Sequence, residues 1–276
     1  MISIKVGYVV ATPELCFDEG VTAYQGDAEE AFRKLRALGF DGAELMIRDP
    51  DGIEKGLFER LSRDYGIEIP ALCTGEVFGQ DHLSFMDPDR AVRAEAVRRT
   101  KKIIDFASIF GAQMNIGRLR GQFHREILRE DSLTWMYDAF ETVSDYAAPR
   151  GVTITIEPIP RVEWNNIFTI REGIEVVKKM GRNNFRLMAD VYAMNIEEKS
   201  LAESFQKAKP YLAHIHISDS NRLPPGGGNL DFVRIAEAIR ALDYRGYVSA
   251  ELIQHPNQEE AMAQTISILK SLRQQL

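Results

Sequence analysis

Cysteine is scarce in this chain: two among 276 residues, Cys16 and Cys73. They form no C-x-x-C pair, which argues against a disulfide framework or a structural zinc site and makes a reducing, cytoplasmic setting the expectation. Histidine is scarce too, with five in all, too few for a cluster of several metals built on imidazoles. Long apolar runs are missing. The opening MISIKVGYVV turns polar at Thr12 and Glu14, too short to span a bilayer and without a signal-cleavage pattern, so no membrane partner is expected. Positive charge is not in excess; the net charge is -7. An acidic surface repels phosphodiester backbones, so nucleic acid is not an expected partner either. The basic group Arg98, Arg99, Lys101 and Lys102 falls at helical spacing and reads as a solvated helix face. No low-complexity linker interrupts the chain, and a single domain over residues 1–276 is expected.

What is present is a regular alternation of strand-like and helix-like segments. Strands are expected at 4–10, 42–47, 68–73, 113–116, 152–157, 185–190, 212–217 and 247–252. Helices are expected at 27–38, 56–65, from Asp87-Pro88 to Phe110, 133–147, 169–180, 201–207, 231–242 and from about Asn257 to Leu272. Gly39, Gly66 and Gly111 stand where three of them should stop. Eight βα units suit a closed (β/α)8 barrel better than an open doubly wound sheet. The longer loops follow strands, which marks the C-terminal mouth as the functional face.

Four strands of the second half end on a potential metal ligand: Glu157, Asp190, His216 and Glu251. Side chains alternate across a strand. In 152–157 the apolar Val152, Ile154 and Ile156 share one face, which leaves Glu157 on the other. The same count sends His214 and His216, Glu251, and Asp190 to the barrel interior. His214 lies two residues deeper than His216 and reads as a hydrogen-bonded core histidine. Three carboxylates and one imidazole form a hard, oxygen-rich set that suits Mn²⁺ first, then Mg²⁺ or Co²⁺. Four protein ligands leave about two positions of an octahedron for adjacent substrate oxygens. The run Gly226-Gly227-Gly228 is either a flexible turn or a backbone cradle for a phosphate.

The stretches IEPIPRVE (Ile156–Glu163), ADVYAMNIEE (Ala189–Glu198), HIHISDSNR (His214–Arg222) and PGGGNLDF (Pro225–Phe232) resemble the sugar isomerase/epimerase superfamily of xylose isomerase-like TIM barrels. The resemblance is nearest to ketose 3-epimerases of the D-tagatose and D-psicose type and to keto-sugar-acid epimerases. QGD (Gln25–Asp27), IRDP (Ile47–Pro50) and NIGRLRG (Asn115–Gly121) resemble the keto-acid branch. It implies that Glu157, Asp190, His216 and Glu251 hold a divalent metal, that Glu157 and Glu251 are the acid/base pair, and that Glu163 and Arg222 contact substrate. It also implies a homo-oligomer, dimer or tetramer. Two positions depart from the pattern: Ala193 stands where relatives carry a substrate-contacting histidine, and Pro160 where they often carry asparagine.

The expected function is therefore metal-dependent epimerisation or isomerisation of a ketose or keto-sugar acid. Two glutamates would exchange the proton through a metal-bound enediolate. The rival readings are a metal-dependent sugar or inosose dehydratase on the same fold and a sugar-binding barrel without catalysis, the latter motivated by Ala193.

Overall fold

The computed structural model describes residues 4–274, with side chains as far as residue 270. Eight parallel strands pair in sequence order and close into a barrel, β8 returning to β1. The order is β1 (Lys5–Ala11), α1 (Ala28–Leu38), β2 (Gly42–Met46), α2 (Leu57–Tyr65), β3 (Ala71–Cys73), α3 (Gly75–Gly79), α4 (Arg90–Phe110), β4 (Gln113–Ile116) and α5 (Arg129–Ala147). Then come β5 (Ile154–Ile156), α6 (Ile170–Met180), β6 (Phe185–Asp190), α7 (Val191–Glu197), α8 (Leu201–Ala208), β7 (Leu212–Ile217), α9 (Phe232–Arg240), β8 (Tyr247–Ala250) and α10 (Gln258–Gln274). The expected (β/α)8 barrel is the observed architecture. The first three residues of the opening run lie outside the described residues, as does the side chain of Leu272 at the expected end of the last helix. Among the described residues no helix is long and apolar enough to cross a membrane.

Local chemistry sets the helix ends. The Asp27 side chain accepts from Glu30 N, Glu29 and Glu30 sit in the first turn, and Gly39 closes α1 at φ 86°, a conformation that costs glycine nothing. Thr169 and Glu172 form a reciprocal capping box on α6, which satisfies two orphan N–H groups. The long fourth helix begins later than expected. Its cap is Asp89, which accepts from Ala91 N at 2.7 Å, whereas Asp87 accepts from Asp89 N in the turn before it. Two short helices were not expected: α3 after β3, and α7 directly after β6. Each is too short to show a periodic apolar stripe, and α7 has its cap in a residue expected to be a ligand, Asp190.

The core is the layer between strands and helices, where Phe32, Phe58, Phe85, Phe140, Phe185 and Phe205 are fully buried. Each such side chain contributes about 1.5–3 kcal/mol by leaving water. The barrel interior is different. Glu44, Asn115, Thr155, His214, His216 and Ser249 are all buried there, and buried polar groups of this kind need partners. The register places them side by side: Asp190 lies opposite His216, and His216 opposite Ser249.

Candidate active site

Glu157 and Glu251 each stand one residue beyond a strand, yet both remain tied to the barrel. Glu157 N–H bonds Ile116 O at 3.1 Å, and Glu251 N–H bonds Ile217 O at 3.3 Å. Between them rises His216, fully buried. Its Nδ1 lies 3.2 Å from Glu251 Oε2 and 3.9 Å from Glu157 Oε1. Ligand atoms of Glu157, His216 and Glu251 all fall within 4.8 Å of one another.

Asp190 lines the same cavity but does not join that triple. One of its oxygens caps α7 by accepting from Tyr192 N at 3.0 Å, and the other pairs with Arg222. The Arg222 guanidinium bridges Asp190 and Glu251. Burial alone would lower the pKa of Arg222, but these two carboxylates raise it. Its backbone sits at φ 64°, uncommon for a residue with a Cβ, and aims the side chain over the mouth. The guanidinium also covers the Tyr192 ring, 4.7 Å from its centroid. Glu163 lines the cavity as well and bonds the Tyr192 hydroxyl. Burial, then Glu163, pushes that phenol up to about 12. Ala193 is buried on α7 and does not line the cavity; its neighbour Tyr192 does.

The floor beneath His216 was not anticipated. Glu44, on β2, is fully buried and takes two imidazoles at once: Oε1 lies 2.8 Å from His216 Nε2, and Oε2 lies 2.7 Å from His214 Nε2. Gln113 Nε2 stands 2.8 Å from His214 Nδ1. With the Gln113 amide nitrogen as donor, His214 carries its proton on Nε2 and donates it to Glu44. Burial would raise the Glu44 pKa, but His216 and His214 hold it far below the usual carboxylate range. A signal existed in the sequence: Glu44 interrupts the apolar strand GAELM on the parity that faces inward.

Other walls are equally specified. Asn115 Nδ2 donates to Glu157 Oε2 at 2.8 Å. A Cβ on Gly117 would stand 2.7 Å from that same oxygen, so glycine leaves room for the carboxylate. Arg120 is fully buried and donates to Gly117 O, Glu157 O, Asn166 O and Asn166 Oδ1. It locks β4, Glu157 and the loop before α6 together, and burial lowers its pKa to about 9. The glycine run holds no cradle for phosphate. Asp219 fills it, its carboxylate accepting from Ser220 N, Gly226 N and Leu230 N. A Cβ on Gly228 would lie 2.3 Å from Asp219 Oδ1. Three of the four basic residues on α4 form ion pairs, Arg98 with Glu95, Arg99 with Asp49 and Asp81, and Lys102 with Asp51, while Lys101 lies over the Tyr146 ring.

The donor set fits a divalent cation. The Nε2 hydrogen of His216 is directed at Glu44, so Nδ1, which faces two carboxylates, is the nitrogen left for a cation once its proton is displaced. Burial and the nearby Glu251 push Glu157 up to about 7, while Arg222 and His216 hold Glu251 down despite its burial. Like charges packed this closely are relieved by a shared cation. Cys73 Sγ lies 3.8 Å from Glu251 Oε1. Burial and the neighbouring carboxylates raise its pKa well above normal and keep it a neutral thiol.

A family model described as xylose isomerase-like TIM barrel matches residues 32–272. The chain belongs to this family. Among the relatives of this xylose isomerase-like barrel, a D-psicose 3-epimerase from Enterocloster bolteae is 36% identical over 234 residues, 80% of this chain and 75% of the relative. An L-ribulose 3-epimerase from Methylomonas sp. is 28% identical over 248 residues, 89% of this chain and 85% of the relative. The crystal structure of a D-allulose 3-epimerase from Methylomonas sp. in complex with D-allulose superimposes with a TM-score of 0.80 at 22% identity, covering 98% of each chain. That likeness establishes the shared fold.

Proposed function

We propose that this chain is a metal-dependent ketose epimerase that inverts the carbon next to the carbonyl. One observation carries the reading: Glu157 and Glu251 leave β5 and β8, three strands apart, and converge on one cavity around His216. Its relatives are named for 3-epimerisation of ketoses. In a 2-ketose, C3 lies beside the carbonyl, so its hydrogen is acidified and removable by a carboxylate.

Inversion needs one base on each face of that carbon. One glutamate takes the C3 proton as the electron pair moves toward the carbonyl oxygen. The other delivers a proton to the opposite face as the carbonyl reforms. Glu157, His216, Glu251 and Asp190 would hold Mn²⁺, Mg²⁺ or Co²⁺. When bound, such an ion supplies Lewis-acid polarisation of adjacent substrate oxygens. Glu44 keeps the His216 ring oriented, as partners behind a ligating histidine do. Arg222 and Glu163, joined through Tyr192, would hold substrate hydroxyls by charge-assisted bonds.

The test is exchange in D₂O with Mn²⁺ and D-psicose, D-tagatose or L-ribulose. Deuterium should enter at C3 of the epimer with no loss of water from the sugar. Glu157→Gln and Glu251→Gln should each lower turnover by about 10³-fold or more, since acid–base groups supply about 10²–10⁴. Full turnover in either variant refutes the two-base account, and loss of water in place of inversion makes the enzyme a dehydratase.

A further inference from the structure

The cavity has a second polar wall that proton transfer leaves unused. It is made by α3 and the turn after β4. The Glu76 side chain is only 8% exposed and pairs with Arg118 Nη2, while the Arg118 side chain is 38% exposed and lines the cavity. Glycines seat the pair. A Cβ on Gly79 would stand 2.6 Å from Glu76 Oε2 and 3.1 Å from Arg118 Nη2, and one on Gly75 would stand 3.4 Å from Arg118 Nη2. A free guanidinium beside these carboxylates would be drawn onto them, as Arg222 is. Glu76 ties Arg118 to its wall instead. Among the described residues its Nε and Nη1 hydrogens have no partner, which leaves donors of a rigid, planar fork to offer to the cavity.

We propose that Glu76 and Arg118 form a tail subsite, which accepts an oxygen-bearing group on the substrate carbon farthest from the reacting centre. The chemistry shared by its ligands is a hydrogen-bond-accepting terminal oxygen, from either a hydroxyl or a carboxylate. The inference rests on the epimerase reading and names the part of the substrate that the catalytic residues do not touch. Arg118 is a recognition residue here and takes no part in moving the proton.

The experiment compares three substrates that differ only at C6: a 2-ketohexose, its 6-deoxy analogue and the corresponding 6-carboxylate. Values of kcat/KM are measured for the wild type, Arg118→Met and Arg118→Lys, with melting temperatures to confirm folding. The wild type should favour at least one oxygen-bearing substrate over the 6-deoxy sugar by about 10- to 100-fold, the ratio supported by a hydrogen bond to a charged group. Whichever of the two is favoured identifies the terminal group. In Arg118→Met the ratio should collapse to within about threefold, chiefly through KM, and Arg118→Lys should restore part of it. Should Arg118→Met not fold, Glu76→Gln serves in its place, since it releases the fork from its wall and should also shrink the ratio. A ratio that survives in the folded variant, or an equal loss on all three substrates, overturns the subsite. Failure of the epimerase reading looks different: no deuterium enters any of the three sugars, even with the wild type.

Discussion

Replacing Glu44 by glutamine removes one acceptor from a buried place where two donors must be satisfied. In the native barrel Glu44 receives His216 Nε2 at 2.8 Å and His214 Nε2 at 2.7 Å, and all three side chains are sealed from solvent. Glutamine offers one oxygen and one amide nitrogen, so one imidazole must give up its Nε2 hydrogen and accept from the amide. His214 cannot move its proton to Nδ1, because Gln113 Nε2 occupies that side at 2.8 Å, whereas His216 can, with Glu251 Oε2 lying 3.2 Å from its Nδ1. Two bonds to a charged acceptor, worth about 1.5–3 kcal/mol each, become two neutral bonds of about 0.5–1.5 kcal/mol each. Relief of the carboxylate's own desolvation returns part of that loss. A net destabilisation of about 1–2 kcal/mol follows. In a chain of this size that lowers the melting temperature by roughly 2–4 °C, at about 2 °C per kcal/mol. Thermal unfolding followed by circular dichroism, at pH 7 in excess chelator, isolates the effect from metal binding. Glu44→Leu should be worse, since it orphans both imidazoles. Melting temperatures that stay level, or a Glu44→Leu variant more stable than wild type, would show that desolvation outweighs the hydrogen bonds and refute the argument. Repeated calorimetry with Mn²⁺ should show affinity weakened by about 10- to 100-fold in Glu44→Gln, the usual consequence of losing a partner behind a ligating histidine.

Two other outcomes can be checked. Because burial and Glu251 raise Glu157 to about 7, and because burial would lower His216 but Glu44 and Glu251 raise it well above its normal value, the metal-free site holds extra protons that a cation must displace. Mn²⁺ affinity should climb as pH rises from about 5 to 7. Titrations in buffers of different ionisation enthalpy should show about two protons released below pH 7 and fewer above it. A pH-independent affinity would contradict this. Separately, Gly117→Ala puts a methyl group 2.7 Å from the present position of Glu157 Oε2. It should cut kcat by about 10²-fold, the effect of a displacement of about 1 Å at a reacting group, while the far-ultraviolet spectrum is kept; an active Gly117→Ala enzyme would mean that the Glu157 carboxylate does not work from its observed place.

Much of this architecture was legible in the sequence, because its signals are local and periodic. Strands β4, β6 and β7 fall where alternation and bounding turns put them, and Gly39, Gly66 and Gly111 end α1, α2 and α4 as expected. Period-two counting also sends Glu157, His216 and Glu251 inward, since a strand with one apolar face has a single way to bury it. Helices α3 and α7 escaped notice. They span five and seven residues, too few for a 3.6-residue period to declare itself.

The sequence by itself determined the alternation of strands and helices, the closure into a barrel, and the face on which each ligand-type side chain stands. Only the tertiary structure decided which of those side chains meet. Glu44 and His214 touch across 170 positions of chain, Arg120 clamps a loop 46 positions away, and Asp219 fills the glycine turn that a sequence reader could have offered to a phosphate. The physical reason is that periodicity fixes direction relative to one strand. Contact across a barrel depends on the tilt, register and twist of all eight strands together, which no local window contains.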